Sequence, residues 1–114
     1  FIEASRKNMS VLKQNIDSIS PEQNCFELIQ DSSAQWLPGF ADPGHPCTVF
    51  LDPPFSGNEY ELILNKLNAL SSIRAGSLIV VESYQDKEIL FPDALLTLKH
   101  RRYGSVTLDI LCKQ

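Results

Sequence analysis

The sequence predicts an α/β fold whose mostly parallel sheet ends in an antiparallel hairpin. Short apolar runs alternate with helix-length amphipathic stretches through most of the chain, the pattern of βα units. Leu78-Ile79-Val80-Val81 is continuously apolar, as a parallel strand covered on both faces would be. Two further strand-like runs flank Arg102-Tyr103-Gly104 and read as a closing hairpin.

The elements follow in order. Phe1-Ile2-Glu3 reads as the end of a strand, and Ser5 can cap the helix after it. Met9, Leu12, Ile16 and Ile19 fall at helical spacing on one apolar stripe, which Ser20-Pro21 ends. Cys25–Ile29 is a short strand. Ser33–Leu37 is a helical turn anchored by Trp36 and Leu37, with Trp36 assigned to the core. The span 38–46 holds three prolines and two glycines and is a loop. The strand Cys47–Leu51 stops at Pro53-Pro54, because proline has no N–H to donate to a sheet. Asn58 with Glu61 forms a capping box for a helix whose apolar face is Tyr60, Ile63, Leu64, Leu67 and Leu70. The buried strand ends in Glu82. Leu95–His100 and Val106–Cys112 make the hairpin, with Val106, Leu108, Ile110 and Cys112 on one face.

At 114 residues the chain reads as a single domain, residues 1–114, with one core. An apolar content of 43% with 21% charged residues is that of a soluble globular protein. No apolar run is long enough to cross a membrane. Phe1-Ile2-Glu3 lacks the basic and apolar regions of a signal peptide and has no starting methionine, so the chain reads as a fragment or processed product. Cys25, Cys47 and Cys112 lie far apart, with no C-x-x-C pair, and His45 and His100 are isolated. Reduced thiols in a cytoplasmic protein fit this better than a zinc site, and no metal is expected. The net charge of −4 argues against a strong nucleic-acid binder. Against that, Lys99, His100, Arg101 and Arg102 cluster near the end, either as a solvated strand end or as a contact for a polyanion.

Ligands of open α/β sheets bind beyond the carboxyl ends of the strands. Glu3, Asp31, Asp52 and Glu82 all fall at or just past such ends and are expected on one rim. Glu3 is placed to accept both hydroxyls of a ribose. The corner Asp52-Pro53-Pro54-Phe55 offers a carboxylate, free carbonyls and an aromatic ring, a set suited to a planar group bearing an NH2. It is equally an ordinary turn in which Asp52 caps, the prolines stop the strand and Phe55 packs.

Together these residues resemble the class I S-adenosylmethionine-dependent methyltransferases with a Rossmann-like fold. Within that class they resemble the family that methylates the exocyclic N2 of a guanine in 16S ribosomal RNA. The resemblance rests on Phe1-Ile2-Glu3-Ala4-Ser5-Arg6 and Leu51-Asp52-Pro53-Pro54-Phe55. It continues through Tyr60-x-x-Ile63-Leu64-x-x-Leu67, Val80-Val81-Glu82 and Lys99-x-Arg101-Arg102-Tyr103-Gly104-x-x-x-Leu108. It implies that Asp52, Pro53, Pro54 and Phe55 are catalytic, and that Glu3, Asp31 and Ser32 hold S-adenosylmethionine. It implies an RNA partner, 16S rRNA or the small ribosomal subunit. For Arg102 and Tyr103, with Arg101 beside them, the residues leave open RNA contact or an ordinary hairpin turn. Asp31-Ser32 occupies the region of the family's acidic or amide residue after the third strand. The family's first strand, glycine-rich loop and basic N-terminal region have no counterpart in these residues. The resemblance therefore implies a truncated methyltransferase domain with little or no activity alone, and the gap it leaves could let exposed strand edges self-associate. The rival readings are an amino-methyltransferase of another kind, such as a DNA adenine-N6 enzyme, and a non-catalytic α/β interaction module.

Overall fold

The computed structural model describes residues 1–19, 22, 25–53, 59–84 and 86–114. It divides into two compact units, Phe1–Pro38 and Gly39–Gln114.

In the first unit Ile2 and Ile29 form a parallel bridge. The Glu3 N–H donates to the Ile29 carbonyl at 3.0 Å, and the Ile29 N–H to the Phe1 carbonyl at 2.9 Å. The two expected strands meet only here; Cys25 and Phe26 are exposed. Helix α1 (Arg6–Ile19) starts as its sequence requires. The Ser5 hydroxyl accepts from the Asn8 N–H at 3.3 Å, satisfying a free donor of the first turn. Ile16 is buried and Met9 and Leu12 are half-buried, but Ile19 is 74% exposed. The apolar stripe thus ends a turn earlier than its spacing predicts. The expected stop at Ser20-Pro21 lies outside the described residues. Helix α2 (Ser33–Trp36) is one turn capped by Ser32, and a 3-10 turn over Leu37–Gly39 follows. Leu37 is buried, while Trp36, expected in the core, is only half-buried.

Among its described residues the second unit is a mixed four-stranded sheet with one α-helix. Its elements are β1 (Thr48–Leu51), α3 (Glu59–Ala69), β2 (Leu78–Tyr84), β3 (Leu95–Tyr103) and β4 (Val106–Lys113). The strand order is β1-β2-β4-β3. Strand β1 runs parallel to β2, joined through α3, and the remaining pairings are antiparallel. The parallel share of the sheet is smaller than the sequence suggests. The β3–β4 hairpin turns through two residues between Tyr103 and Val106. Gly104 there has φ 59°, a conformation that glycine adopts without strain. Strand β3 outruns its expected end at His100 and carries a bulge between Thr97 and Lys99.

One face of the sheet is covered over β2 and β4. Ile79, Val81 and Leu111 are wholly buried, with Leu51, Ser83, Thr107 and Asp109 nearly so. Helix α3 lies over this face with Tyr60, Ile63, Leu64 and Leu67 turned inward. Lys113, from the same face of β4, extends its ammonium to the Leu67 and Leu70 carbonyls at 3.2 and 2.6 Å. It thereby caps the end of α3, where free carbonyls concentrate negative charge. The opposite face carries Leu78, Val80, Leu108, Ile110 and Cys112, all half-buried. The sequence marks Val106, Leu108, Ile110 and Cys112 as one face, and they are; but Thr107, Asp109 and Leu111 form the more buried one. Of the expected capping box, Asn58 lies outside the described residues. Glu61 sits in the first turn of α3 with one carboxylate oxygen buried and unpartnered among the described residues.

Candidate active site at the end of the parallel pair

Strand β1 ends where its sequence says it must. Leu51 is buried, Asp52 is exposed and Pro53 is buried, so the carboxylate stands out between two anchored neighbours. The register aligns Leu51 with Val81, which sets Asp52 alongside Glu82 of the neighbouring strand. Parallel neighbours lie about 4.8 Å apart. Glu82 is not a strand-end residue as expected. Strand β2 continues to Tyr84, and Glu82 pairs with Leu108 of β4. The parallel partner stops there; the strand itself does not. Pro54 and Phe55 lie outside the described residues.

Behind this corner stands Tyr60, which the periodicity marks only as a member of the apolar face. Its ring is fully buried and its hydroxyl donates to the Glu82 carbonyl at 2.8 Å. Burial, followed by the nearby charges of Asp52 and Glu82, pushes the phenol up to about 12. The Lys87 ammonium lies 4.9 Å from the ring centroid, within cation–π range. Tyr60 thus ties the start of α3 to β2 beside Asp52. The sequence offers only a weak signal for this, a hydrogen-bonding aromatic on the apolar face of the helix that follows the proline corner.

In the first unit, Glu3 directly follows the Ile2–Ile29 parallel bridge on one segment, and Asp31 comes two residues after it on the other. Both carboxylates are half-buried and held by local donors. Glu3 accepts from the Ser5 N–H at 2.7 Å and from the Asn8 side-chain amide at 3.4 Å. Asp31 accepts from the Ser32 N–H at 2.7 Å, and the Ser32 hydroxyl accepts from the Gln35 N–H at 3.3 Å. Within each unit two of the four expected acids lie near the end of a parallel pairing, Glu3 and Asp31 in the first and Asp52 and Glu82 in the second.

Arg101, Arg102 and Tyr103 lie on β3, an edge strand exposed at every position after Leu95. Adjacent strand residues point to opposite faces. Arg101 and Tyr103 share the face of Leu108 and Val106, and Arg102 that of Thr107. His100, on the Arg102 face, lies 2.7 Å from a carboxylate oxygen of buried Asp109. Among the described residues no three potential ligands gather that could hold a metal ion. No described helix is long and apolar enough to cross a membrane.

The family model described as Conserved hypothetical protein 95 matches residues 1–112. The chain is 30% identical over 107 residues to ribosomal RNA small subunit methyltransferase D of Haemophilus influenzae. That match covers 94% of the chain and 55% of the relative, so the chain spans about half of the curated relative's length. A crystal structure from Haemophilus influenzae, described as a candidate methylase, superposes with a TM-score of 0.77 at 28% identity. The superposition covers 99% of this chain and 70% of that one. A conserved hypothetical protein of Streptococcus pyogenes has a TM-score of 0.78 at 22% identity, over 99% of this chain and 69% of its own, and shares the fold.

Proposed function

Because this chain belongs to the Conserved hypothetical protein 95 family, we propose that it forms part of an rRNA methyltransferase that modifies the exocyclic N2 amine of a guanine in 16S ribosomal RNA. The observation that carries the proposal is Asp52, an exposed carboxylate held between buried Leu51 and buried Pro53 at the carboxyl end of a parallel strand. The 30% identity to a ribosomal RNA methyltransferase supports the same reading. Both units then belong to one methyltransferase domain, working on the small ribosomal subunit in the cytoplasm. Phe50, 79% exposed on edge strand β1, is where self-association of the chain would begin.

The chemistry asked of the corner is modest. The guanine amine is a poor nucleophile because its lone pair is delocalised into the ring. Two acceptors on its N–H groups turn that lone pair outward, and the Asp52 carboxylate and the Pro53 carbonyl supply them. Fixed acceptors of this kind stabilise the positive charge that develops on the nitrogen. A carboxylate of ordinary strength does not deprotonate a neutral aryl amine. Asp52 instead receives the proton after the N–C bond has formed. Phe55 stacks on a base turned out of its surroundings, adding about 1–3 kcal/mol.

Glu3, Asp31 and Ser32 offer hydrogen-bond acceptors that fit the nucleoside part of S-adenosylmethionine. Two carboxylates beyond a parallel bridge, each steadied by a backbone N–H and retaining lone pairs, can accept ribose hydroxyls at Glu3 and the adenine amine at Asp31. Bound S-adenosylmethionine supplies an electrophilic methyl group on sulfur.

The test is methyl transfer from labelled S-adenosylmethionine to small ribosomal subunits by the protein expressed from its full reading frame, followed by nucleoside analysis. The expected product is N2-methylguanosine, and Asp52→Ala should slow its formation about 10²- to 10³-fold. Methylation of DNA adenine instead, or of no nucleic acid, would overturn the proposal.

A further inference from the structure

Strand β3 offers its two faces to solvent on unequal terms. On one, His100 is engaged with Asp109. On the other, Lys99, Arg101 and Tyr103 stand in a row opposite Ile110, Leu108 and Val106. All three are exposed, Tyr103 by 63%. Among the described residues neither Lys99 nor Arg101 makes an ion pair; the Arg101 guanidinium donates only to the His100 carbonyl, at 3.1 Å. Glu82, the carboxylate in the same cross-strand row, is separated from Arg101 by Leu108 of β4. Two uncompensated cations and an aromatic ring therefore repeat at the two-residue step of a strand, roughly 6.8 Å.

We propose that the row Lys99–Arg101–Tyr103 is a docking line for single-stranded RNA, the cations meeting phosphates and the Tyr103 ring stacking on a base. The proposal rests on the rRNA reading above and names the surface that receives the strand. It assigns Lys99 to the contact and removes Arg102 from it, since strand alternation turns Arg102 to the other face. The two-residue step is about twice the 3.4 Å rise per stacked nucleotide, so successive cations can serve phosphates of one strand. Single-strand binders combine these same parts, a basic track and an aromatic platform. An anionic membrane fits less well. Polybasic membrane sites gather four to eight cations, whereas this row has two, on a chain of net charge −4.

The test is binding of the 114-residue chain to a fluorescent single-stranded oligoribonucleotide, followed by anisotropy from 20 to 200 mM salt. The same RNA as a duplex and vesicles rich in phosphatidylserine are run alongside. Lys99→Ala and Arg101→Ala should each weaken binding several-fold and flatten the log–log salt slope by about 0.7. Tyr103→Ala should cost roughly five-fold or more on the single strand and little on the duplex. Arg102→Ala should change neither slope nor affinity appreciably. These side chains are exposed, and circular dichroism checks that each variant is folded. No binding by the unmodified chain at 20 mM salt, an equal loss in Arg102→Ala and Arg101→Ala, or vesicle binding with the same alanine profile would each overturn the proposal. With a flat profile the charges only guard the edge strand against pairing. Failure of the full protein to form N2-methylguanosine would sink the function while leaving this binding result to stand or fall by itself.

Discussion

Tyr60 and Asp109 show how much single residues contribute beside the corner. The Tyr60 hydroxyl donates its proton to the Glu82 carbonyl, so Tyr60→Phe leaves that acceptor without this bond. A loss of about 1 kcal/mol in stability is expected by denaturant titration at pH 8. The phenol lies above its ordinary 10.0, at about 12, so folding favours the protonated form. Its contribution is fully present below pH 10 and is lost as pH rises through 12. The gap between native and Tyr60→Phe midpoints should therefore narrow between those values. Asp109 is buried against His100. His100→Ala removes a partner from a buried carboxylate and should cost about 1–3 kcal/mol, far more than an exposed position usually does.

Two contacts between elements carry testable weight in the second unit. Lys113 caps α3 from β4 with two hydrogen bonds to carbonyls. Lys113→Met keeps the stem and removes the donors, and should destabilise by about 1–2 kcal/mol. The loop before β1 is tied to the turn after α3 by Arg74, whose guanidinium binds the Asp42 carboxylate at 2.8 and 2.7 Å. That bond, with the Gly44 N–H, holds Asp42 down at about 2 against its ordinary 3.8. The pair therefore stabilises above pH 4 and its contribution is lost as pH falls through 2. Both partners are solvent-accessible, so 1 M salt should erase most of the effect. Denaturation midpoints of the native chain and Asp42→Asn should converge on acidification from pH 5 to 2.

At the scale of the whole molecule, the parallel strand, its end before Pro53, the apolar face of α3 and the terminal hairpin are all legible in the sequence. Periodicity and proline chemistry act locally and leave a local trace. The packed face of β4 was not legible. Val106, Leu108, Ile110 and Cys112 are the more apolar set, yet Thr107, Asp109 and Leu111 are the more buried. Asp109 is satisfied by His100, and neighbouring Lys113 by α3, partners that no single-strand pattern displays. Tyr60 was hidden for the same reason, since its hydrogen bond reaches 22 residues along the chain. Glu82 reads as a strand end because the apolar run Leu78–Val81 stops there, whereas β2 continues to Tyr84. Asp52, by contrast, stands exposed between buried Leu51 and buried Pro53 at the end of β1, and the proposed function turns on it. The most direct measurement is mass spectrometry of small-subunit rRNA from cells lacking the gene, complemented with the native gene or with Asp52→Ala. The account predicts that one N2-methylguanosine disappears on deletion, returns with the native gene and stays absent with the variant. An unchanged rRNA methylation pattern on deletion, or full restoration by Asp52→Ala, would contradict it.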